Sequence, residues 1–136
     1  MIDSLARKFL KKHGLDYPHG TGHGVGYFLN VHEGPIAISK GYKIKLKPGH
    51  VISNEPGFYK KGKFGIRIEN MIYVKQIKNR VFFENLTMVP IDKELINFNL
   101  LNRNEKNYLL NYNLRIYSNV EKYLNYKEKF WLLSQF

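Results

Sequence analysis

The sequence has no cysteine among its 136 residues, and this absence excludes two classes of small protein. A disulfide scaffold and a thiolate-ligated zinc site both require sulfur, so neither is available to this chain. Hydrophobic runs are also short, because no stretch of roughly eighteen apolar residues occurs, and we expect no membrane-spanning helix. Residues 1–13 lack the apolar run and the small-residue cleavage site that are typical of a signal peptide.

Acidic residues are scarce, since 11 Asp and Glu stand against 22 Lys and Arg, which gives a net charge of +11. Such a charge permits binding to nucleic acid or to an anionic surface but identifies neither partner. The lysines cluster in two groups, at positions 40, 43, 45 and 47 and at positions 60, 61 and 63. Solvated protein faces explain these clusters more simply, so we expect no nucleic-acid partner and no membrane partner.

Alternating apolar residues predict four strands before residue 90. They cover residues 27–32, a segment from Val51 to the turn at 55–57, residues 65–74 and residues 80–88. In the third strand, Ile66 and Ile68 lie on one side and Arg67 and Glu69 on the other. We expect this apolar strand to be covered.

Helical patterns occur at both ends of the chain. Asp3 and Ser4 can cap a short helix that ends at Gly14 and places Leu5, Phe9 and Leu10 on one face. Asn102 and Glu105 match a capping box. The apolar stripe of a longer helix follows that box: Leu109, Tyr112, Ile116, Val120 and Tyr123. A last short helix is predicted at residues 130–133. The sequence therefore predicts an α+β fold with a mainly β domain at 1–90 and a mainly helical domain at 91–136.

The candidate site residues are histidines and glutamates near glycine and proline. His19 and His23 lie in a loop whose glycines let the backbone turn tightly and approach a ligand, so they are either surface histidines or metal ligands. Glu55 precedes Pro56, a position that suits either a reacting group or an exposed side chain. A covered Glu69 requires a cation or a metal, whereas on a solvated face it would only pair with Arg67.

Four segments follow one another in a characteristic order: residues 16–26 (DYPHGTGHGVG), 29–35 (LNVHEGP), 54–59 (NEPGFY) and 64–70 (FGIRIEN). Together they resemble the Xaa-Pro aminopeptidases (aminopeptidase P) of metallopeptidase family M24. Residues 86–91 and 102–114 are similar to the C-terminal extension of the long eukaryotic cytosolic type. The resemblance extends almost from end to end and matches the C-terminal portion of such enzymes.

The resemblance implies the C-terminal half of a pita-bread fold that holds two divalent metal ions, with Mn²⁺ expected and Zn²⁺ or Co²⁺ as alternatives. His23, Glu55 and Glu69 match three of the family's five ligands. His19 and His32 match catalytic histidines that orient the substrate and support proton transfer. Arg67 matches a residue that steadies a ligand carboxylate. A metal-bridged hydroxide would attack the peptide bond before proline.

Two ligand aspartates of the family precede the metal histidine, and none of the three aspartates of this chain matches their positions. The remaining glutamates carry half of the charge of two divalent cations. We therefore expect this chain alone to bind at most one metal weakly and to be nearly inactive. Met1 resembles an internal methionine of a longer enzyme, so we also expect an unpaired strand edge and an uncovered apolar face.

The resemblance also sets expectations about partners and location. The expected substrates are peptides with proline at the second position, the full enzyme is expected to be a homodimer, and the expected location is the cytoplasm. Two alternatives remain at this point. One is a non-catalytic pita-bread module that binds nucleic acid or protein through its lysines, and the other is a related prolidase or methionine aminopeptidase.

Overall fold

Short strands precede two longer helices in the computed structural model, which describes residues 2–28 and 30–136. The strands are β1 (Gly22–His23), β2 (Ala37–Ile38), β3 (Val51–Asn54), β4 (Gly57–Lys60), β5 (Phe64–Arg67), β6 (Asn70–Ile77) and β7 (Arg80–Asn85). The helices are α1 (Ile2–Ala6), α2 (Lys8–Lys11), α3 (Arg103–Val120) and α4 (Tyr126–Ser134). Short 3₁₀ turns occur at Lys93–Leu95, Phe98–Leu100 and Glu121–Tyr123.

All strand pairs are antiparallel, and they bring the glycine–histidine loop against the central sheet. β3, β6 and β7 form a three-stranded sheet in that order, β1 pairs with β2, and β4 pairs with β5. A bridge between Gly24 and Ile52 connects β1 to β3. Ile52 and Ile72 face each other across β3 and β6 and form a small core with Ile38 of β2. This core fixes the loop that carries His23 to the strand that precedes Glu55.

The strand predicted at residues 65–74 is two strands, β5 and β6, with a break at residues 68 and 69. Pairing keeps the same register on both sides of the break, because Asn54 faces Asn70 and Gly57 faces Arg67. Across the break, the Ile68 N–H donates to the Pro56 carbonyl at 3.3 Å. Glu55 and Glu69 therefore occupy opposite positions within the interruption.

The expectation of a covered β5 strand is wrong in this structure. Ile66 and Ile68 are 40% and 47% exposed, and every residue of β5 is exposed. The edge strand β7 likewise leaves Val81, Phe82 and Phe83 partly open to solvent. The expected uncovered apolar face stays a prediction.

The prediction of a strand at residues 27–32 is also wrong for its described members, and Leu29 lies outside the described residues. Tyr27 is fully exposed and Phe28 nearly so. The Gly26 N–H donates to the Asn30 carbonyl and the Glu33 N–H to the Gly24 carbonyl, at 2.7 and 2.9 Å. These bonds close a loop locally, so the alternating pattern finds no partner strand.

The N-terminal helix forms as two short pieces, α1 and α2, and its buried residues are polar. Leu5 and Phe9 are 65% and 66% exposed, whereas Asp3 and Arg7 are buried. The guanidinium of Arg7 finds oxygen partners in the body of the protein, which turns the polar side of α1 inward. Gly14 has φ +68°, in agreement with its predicted role as a left-handed helix stop.

The chain divides into two compact units, one ending at Thr87 and the other spanning Met88–Phe136. The domain limits predicted at residues 1–90 and 91–136 stay a prediction. In the second unit, Tyr112 and Ile116 of α3 pack with Leu132 of α4 as the predicted stripe requires, although Tyr123 is exposed. In the part of the chain that the structure describes, no helix has the length and apolar character needed to cross a lipid bilayer.

The predicted capping box of α3 is confirmed, with the Asn102 side chain accepting from the Asn104 and Glu105 N–H groups. Replacing Asn102 by Ala should lower the free energy of unfolding by about 1 kcal/mol, because these helix-end donors lose their acceptor. Urea unfolding followed by circular dichroism measures the loss. Asn104→Ala, two residues later and with no side-chain part in the capping box, is the control and should leave stability nearly unchanged. Equal losses in the two variants would contradict the capping argument.

Candidate metal centre

A cavity of about 390 Å³ in the first unit collects five of the six candidate site residues. Its lining includes His19, His23, His32, Glu55 and Arg67. Glycines at 20 and 22 also line it, since β1 and the preceding loop run along its wall. Residues that the sequence left ambiguous individually therefore lie together on one surface.

His23 and Glu55 are the most closely associated pair of candidate ligands. The His23 Nε2 lies 3.2 Å from the Glu55 Oε1, and both side chains are largely buried. The His23 Nδ1 lies 2.9 Å from the Gly24 carbonyl, which can only accept, so Nδ1 carries the proton. When Nδ1 carries the only ring proton, the lone pair of Nε2 is directed to the side where Glu55 lies, which is the arrangement of a histidine prepared to bind a metal.

The distance between these two donors fits a shared metal ion. Donors bound to one divalent ion at about 2.1 Å lie roughly 3 Å apart when their bonds are near right angles. Ser53 supports the carboxylate by donating its hydroxyl to the Glu55 Oε1 at 2.9 Å. Imidazole and carboxylate donors without sulfur suit zinc, manganese or cobalt. The pair His23 and Glu55 thus fits part of a metal site.

The strand register places the backbone of Glu69 near His23 and Glu55, but the Glu69 side chain does not line the cavity that holds them. Its backbone lies opposite Glu55 in the break between the two strand pairs, and its side chain is exposed. Two carboxylates at opposite positions repel each other unless a cation lies between them. Among the described residues, no group of three or more His, Asp and Glu side chains stands ready to hold a metal. The third predicted ligand therefore has the right strand position without completing the site.

Arg67 lies beside the candidate ligand Glu55. Its Nη1 is 3.5 Å from the Glu55 Oε2, and its Nε donates to the Tyr59 hydroxyl at 2.8 Å. The hydrogen bond to Tyr59 raises the pKa of Arg67 above its ordinary value. A permanently charged guanidinium at this place steadies the carboxylate of Glu55.

Tyr59 is a site residue that the sequence reasoning did not single out. Its hydroxyl accepts from Arg67 and lies 2.7 Å from the His19 Nε2. The His19 Nδ1 is 2.7 Å from the Gly20 carbonyl and so carries a proton, which leaves Nε2 to accept from the tyrosine. Tyr59 lies opposite Gly65 in the strand register, and its ring packs where a Cβ of residue 65 would lie.

His32 completes the imidazole cluster on the outer side of the cavity. Its ring centroid lies 4.0 Å from that of His23, with an angle of 32° between the planes. His32 is exposed, whereas His23 is partly buried beneath it. His32 can therefore meet a ligand that enters from solvent before His23 does.

Family models match almost the whole chain in two adjoining pieces. Residues 1–76 match metallopeptidase family M24, and residues 80–135 match the C-terminal region of M24 peptidases. A probable Xaa-Pro aminopeptidase P from Botryotinia fuckeliana is 52% identical over 133 residues, which cover 90% of this chain and 20% of that protein. The corresponding protein of Sclerotinia sclerotiorum is 50% identical, with 22% of its length covered. The chain thus spans about a fifth of the length of these relatives.

Two solved structures that resemble this chain are an X-prolyl aminopeptidase and a prolidase. An X-prolyl aminopeptidase of Caenorhabditis elegans, described as a cytosolic enzyme with a di-nuclear active site, matches with TM-score 0.89 and 40% identity. That match covers 98% of this chain and 23% of the other. A prolidase of Pyrococcus furiosus, 38% identical, matches with TM-score 0.55 over 63% of this chain and 24% of its own. The predicted α+β, pita-bread fold class with a helical C-terminal end is confirmed, and the chain belongs to metallopeptidase family M24.

Proposed function

We propose that this chain supplies part of the active site of a metallo-aminopeptidase that hydrolyses the bond between an N-terminal residue and proline. The observation that carries the proposal is the His23–Glu55 pair, in which two metal-binding atoms lie 3.2 Å apart in a cavity shared with His19 and His32. Membership of family M24 and the relatives described as Xaa-Pro aminopeptidases support it.

In this proposal, His23, Glu55 and Glu69 are the metal ligands that the chain contributes, and two divalent ions, with Mn²⁺ expected, are the cofactor. When bound, such ions supply a nucleophilic hydroxide and polarise the peptide carbonyl. Ser53 and Arg67 hold the two oxygens of Glu55 in place. The break in the strands places Glu69 opposite Glu55, where a metal would relieve their repulsion.

Hydrogen bonds between the chain's own residues also hold His19 beside the cavity. Tyr59 donates its hydroxyl proton to the His19 Nε2 while it accepts from Arg67. Both ring nitrogens of His19 are engaged in this arrangement, so a substrate group must take the place of the Tyr59 hydroxyl at Nε2 before His19 exchanges a proton with it. His32 would orient the substrate from the open side of the cavity. These are the catalytic roles that we assign to His19 and His32.

The extent of the structural match favours aminopeptidase P over a prolidase. The Pyrococcus furiosus prolidase matches 63% of this chain, whereas the Caenorhabditis elegans aminopeptidase matches 98% of it. Residues 80–135 also match the C-terminal region model of M24 peptidases. The proposed substrates are peptides with proline in second position, and a cytoplasmic homodimer is the proposed state of the whole enzyme.

The isolated 136-residue chain should bind no more than one Mn²⁺ ion per molecule, weakly, and should show almost no turnover of an Xaa-Pro peptide. The reason is that the described residues hold only two donors in contact, and a third in strand register. Calorimetric titration with Mn²⁺, followed by a peptidase assay on the same sample, measures both quantities. Two tight sites with rapid hydrolysis would contradict the proposed partial site, and no binding at all would contradict the assignment of His23 and Glu55.

A further inference from the structure

Polar groups buried in the first unit form one connected system beneath the candidate metal centre. Among the described residues of the chain, the buried polar and charged side chains are Asp3, Arg7, Thr21, Ser53 and Glu55. Ser53 and Glu55 belong to the site already described. Asp3, Arg7 and Thr21 do not line its cavity, yet they are as deeply buried as Glu55.

Arg7 joins the N-terminal helices to the start of the histidine loop. Its Nε donates to both carboxylate oxygens of Asp3 at 3.0 Å, and its Nη1 donates to Asp16 at 2.6 Å. The same Nη1 reaches the Tyr17 carbonyl at 2.8 Å, and Nη2 reaches the His19 carbonyl at 2.5 Å. The guanidinium also lies over the Tyr17 ring, 3.9 Å from its centroid. One side chain therefore fixes the backbone at residues 16–19.

Thr21 continues this system to the ligand carboxylate. Its hydroxyl donates to the Asp3 Oδ1 at 2.7 Å and lies 2.5 Å from the Tyr17 hydroxyl. Its carbonyl accepts the Glu55 N–H at 2.8 Å. Two residues later, the His23 N–H donates to the Ser53 Oγ, which in turn donates to the Glu55 Oε1. Continuous hydrogen bonds thus link Asp3 and Arg7 to both candidate metal ligands.

We propose that Asp3, Arg7 and Thr21 are positioning residues that fix the glycine-rich loop so that His23 and Glu55 meet in metal-binding geometry. The proposal rests on the proposed function. A buried ion pair is often no better for stability than well-packed apolar residues, so its benefit lies in directed hydrogen bonds. The loop contains glycines at 20, 22 and 24, which leave its backbone many conformations unless such bonds select one.

The test measures amide hydrogen exchange in the 136-residue chain without metal. In Thr21→Val, which keeps the side-chain shape but removes the hydroxyl, exchange of the His23 and Glu55 amides should rise at least tenfold. Arg7→Lys keeps the positive charge but loses the several N–H donors of the guanidinium. In this variant, exchange of the same two amides should rise at least as much. The amide of Val74 in β6, which donates to the His50 carbonyl, should exchange at the wild-type rate in both variants.

Two control variants separate positioning from general destabilisation. Val74→Ala removes a buried side chain away from the Asp3–Arg7–Thr21 system. It should raise amide exchange across the sheet, with no larger rise at His23 and Glu55 than elsewhere. Arg80→Lys, at the exposed end of β7, should change nothing. Unchanged or uniformly raised exchange in Thr21→Val would overturn the proposal. If Arg7→Lys unfolds the unit, Thr21→Val alone decides.

A Co²⁺ titration of the same samples separates this inference from the proposed function. Wild-type chain should bind Co²⁺ with a visible absorption band, and Thr21→Val should weaken binding at least threefold more than Val74→Ala does. If Thr21→Val weakens binding no more than Val74→Ala, the positioning role is overturned. If the wild type binds no Co²⁺ while exchange at His23 and Glu55 still rises selectively in the variants, the metal assignment fails and the role in loop positioning is supported.

Discussion

Replacing Glu55 by Gln should weaken Mn²⁺ binding to this chain by at least about 100-fold, below the range of calorimetric detection. Changes one step removed from a metal already cost about 10- to 100-fold in affinity, and Glu55 is itself a proposed ligand. The variant removes a negative charge that lies 3.2 Å from the His23 Nε2. It also leaves His23 as the single proposed metal ligand in the lining of the cavity, since Glu69 is exposed and does not line it.

The shape of the side chain is retained in Glu55→Gln, so the fold should survive the change. The amide oxygen can still accept from the Ser53 hydroxyl, and the Glu55 backbone N–H still donates to the Thr21 carbonyl. Glu94→Gln makes the same change of charge at an exposed position of the second unit and serves as the control. Retained Mn²⁺ affinity in Glu55→Gln, with Glu94→Gln equal to wild type, would remove Glu55 from the metal centre.

Local signals in the sequence predicted those parts of the fold that depend on neighbouring residues. The capping box at Asn102 and the left-handed stop at Gly14 form as predicted, because each is determined within one turn of chain. The second capping box, at Asn125 and Glu128, has the same pattern and was available to the same reasoning. The strand that contains His23 was not predicted, because its partner at Ala37–Ile38 lies beyond a long loop.

Features that depend on distant partners were predicted wrongly or missed. Leu5 and Phe9 were placed on one apolar face, but Arg7 finds its oxygen partners at Asp16, Tyr17 and His19, and the polar side is the buried one. The apolar run at residues 65–74 gave no sign of a break, which arises where Pro56 has no N–H to continue the ladder. Periodicity measures neither effect, because both depend on pairing partners in another part of the chain.

The same contrast applies to the candidate site. The resemblance placed His19, His23, His32, Glu55 and Arg67 together, and the cavity collects all five. The assigned roles of these residues and of Glu69 stay predictions that the variants proposed above test. Tyr59 and Thr21 were missed since a hydroxyl in a strand or a loop has no characteristic spacing. Their participation depends on the register of β4 with β5 and on the carbonyl that accepts from Glu55.

Gly22→Ala should lower the free energy of unfolding of the chain by at least about 3 kcal/mol, the upper end of the cost of overpacking. A Cβ at residue 22 would lie 1.9 Å from the Ser53 carbonyl oxygen and 2.8 Å from its carbon. Both atoms belong to the backbone of β3, so no side-chain rotation can relieve the contact and β1 must move away from β3. That movement breaks the hydrogen bonds from His23 to Ser53 and from Glu55 to Thr21, and Mn²⁺ binding should be lost with them.

Gly34→Ala is the matched control for this prediction, because a Cβ at residue 34 would meet no atom within 4 Å. Urea unfolding of the two variants and of the wild type gives the difference in free energy directly. Comparable stability of Gly22→Ala and Gly34→Ala would mean that β1 and β3 are not held at the distance seen here. The position of His23 beside Glu55 depends on that distance, so the same result would also remove the structural basis of the metal centre.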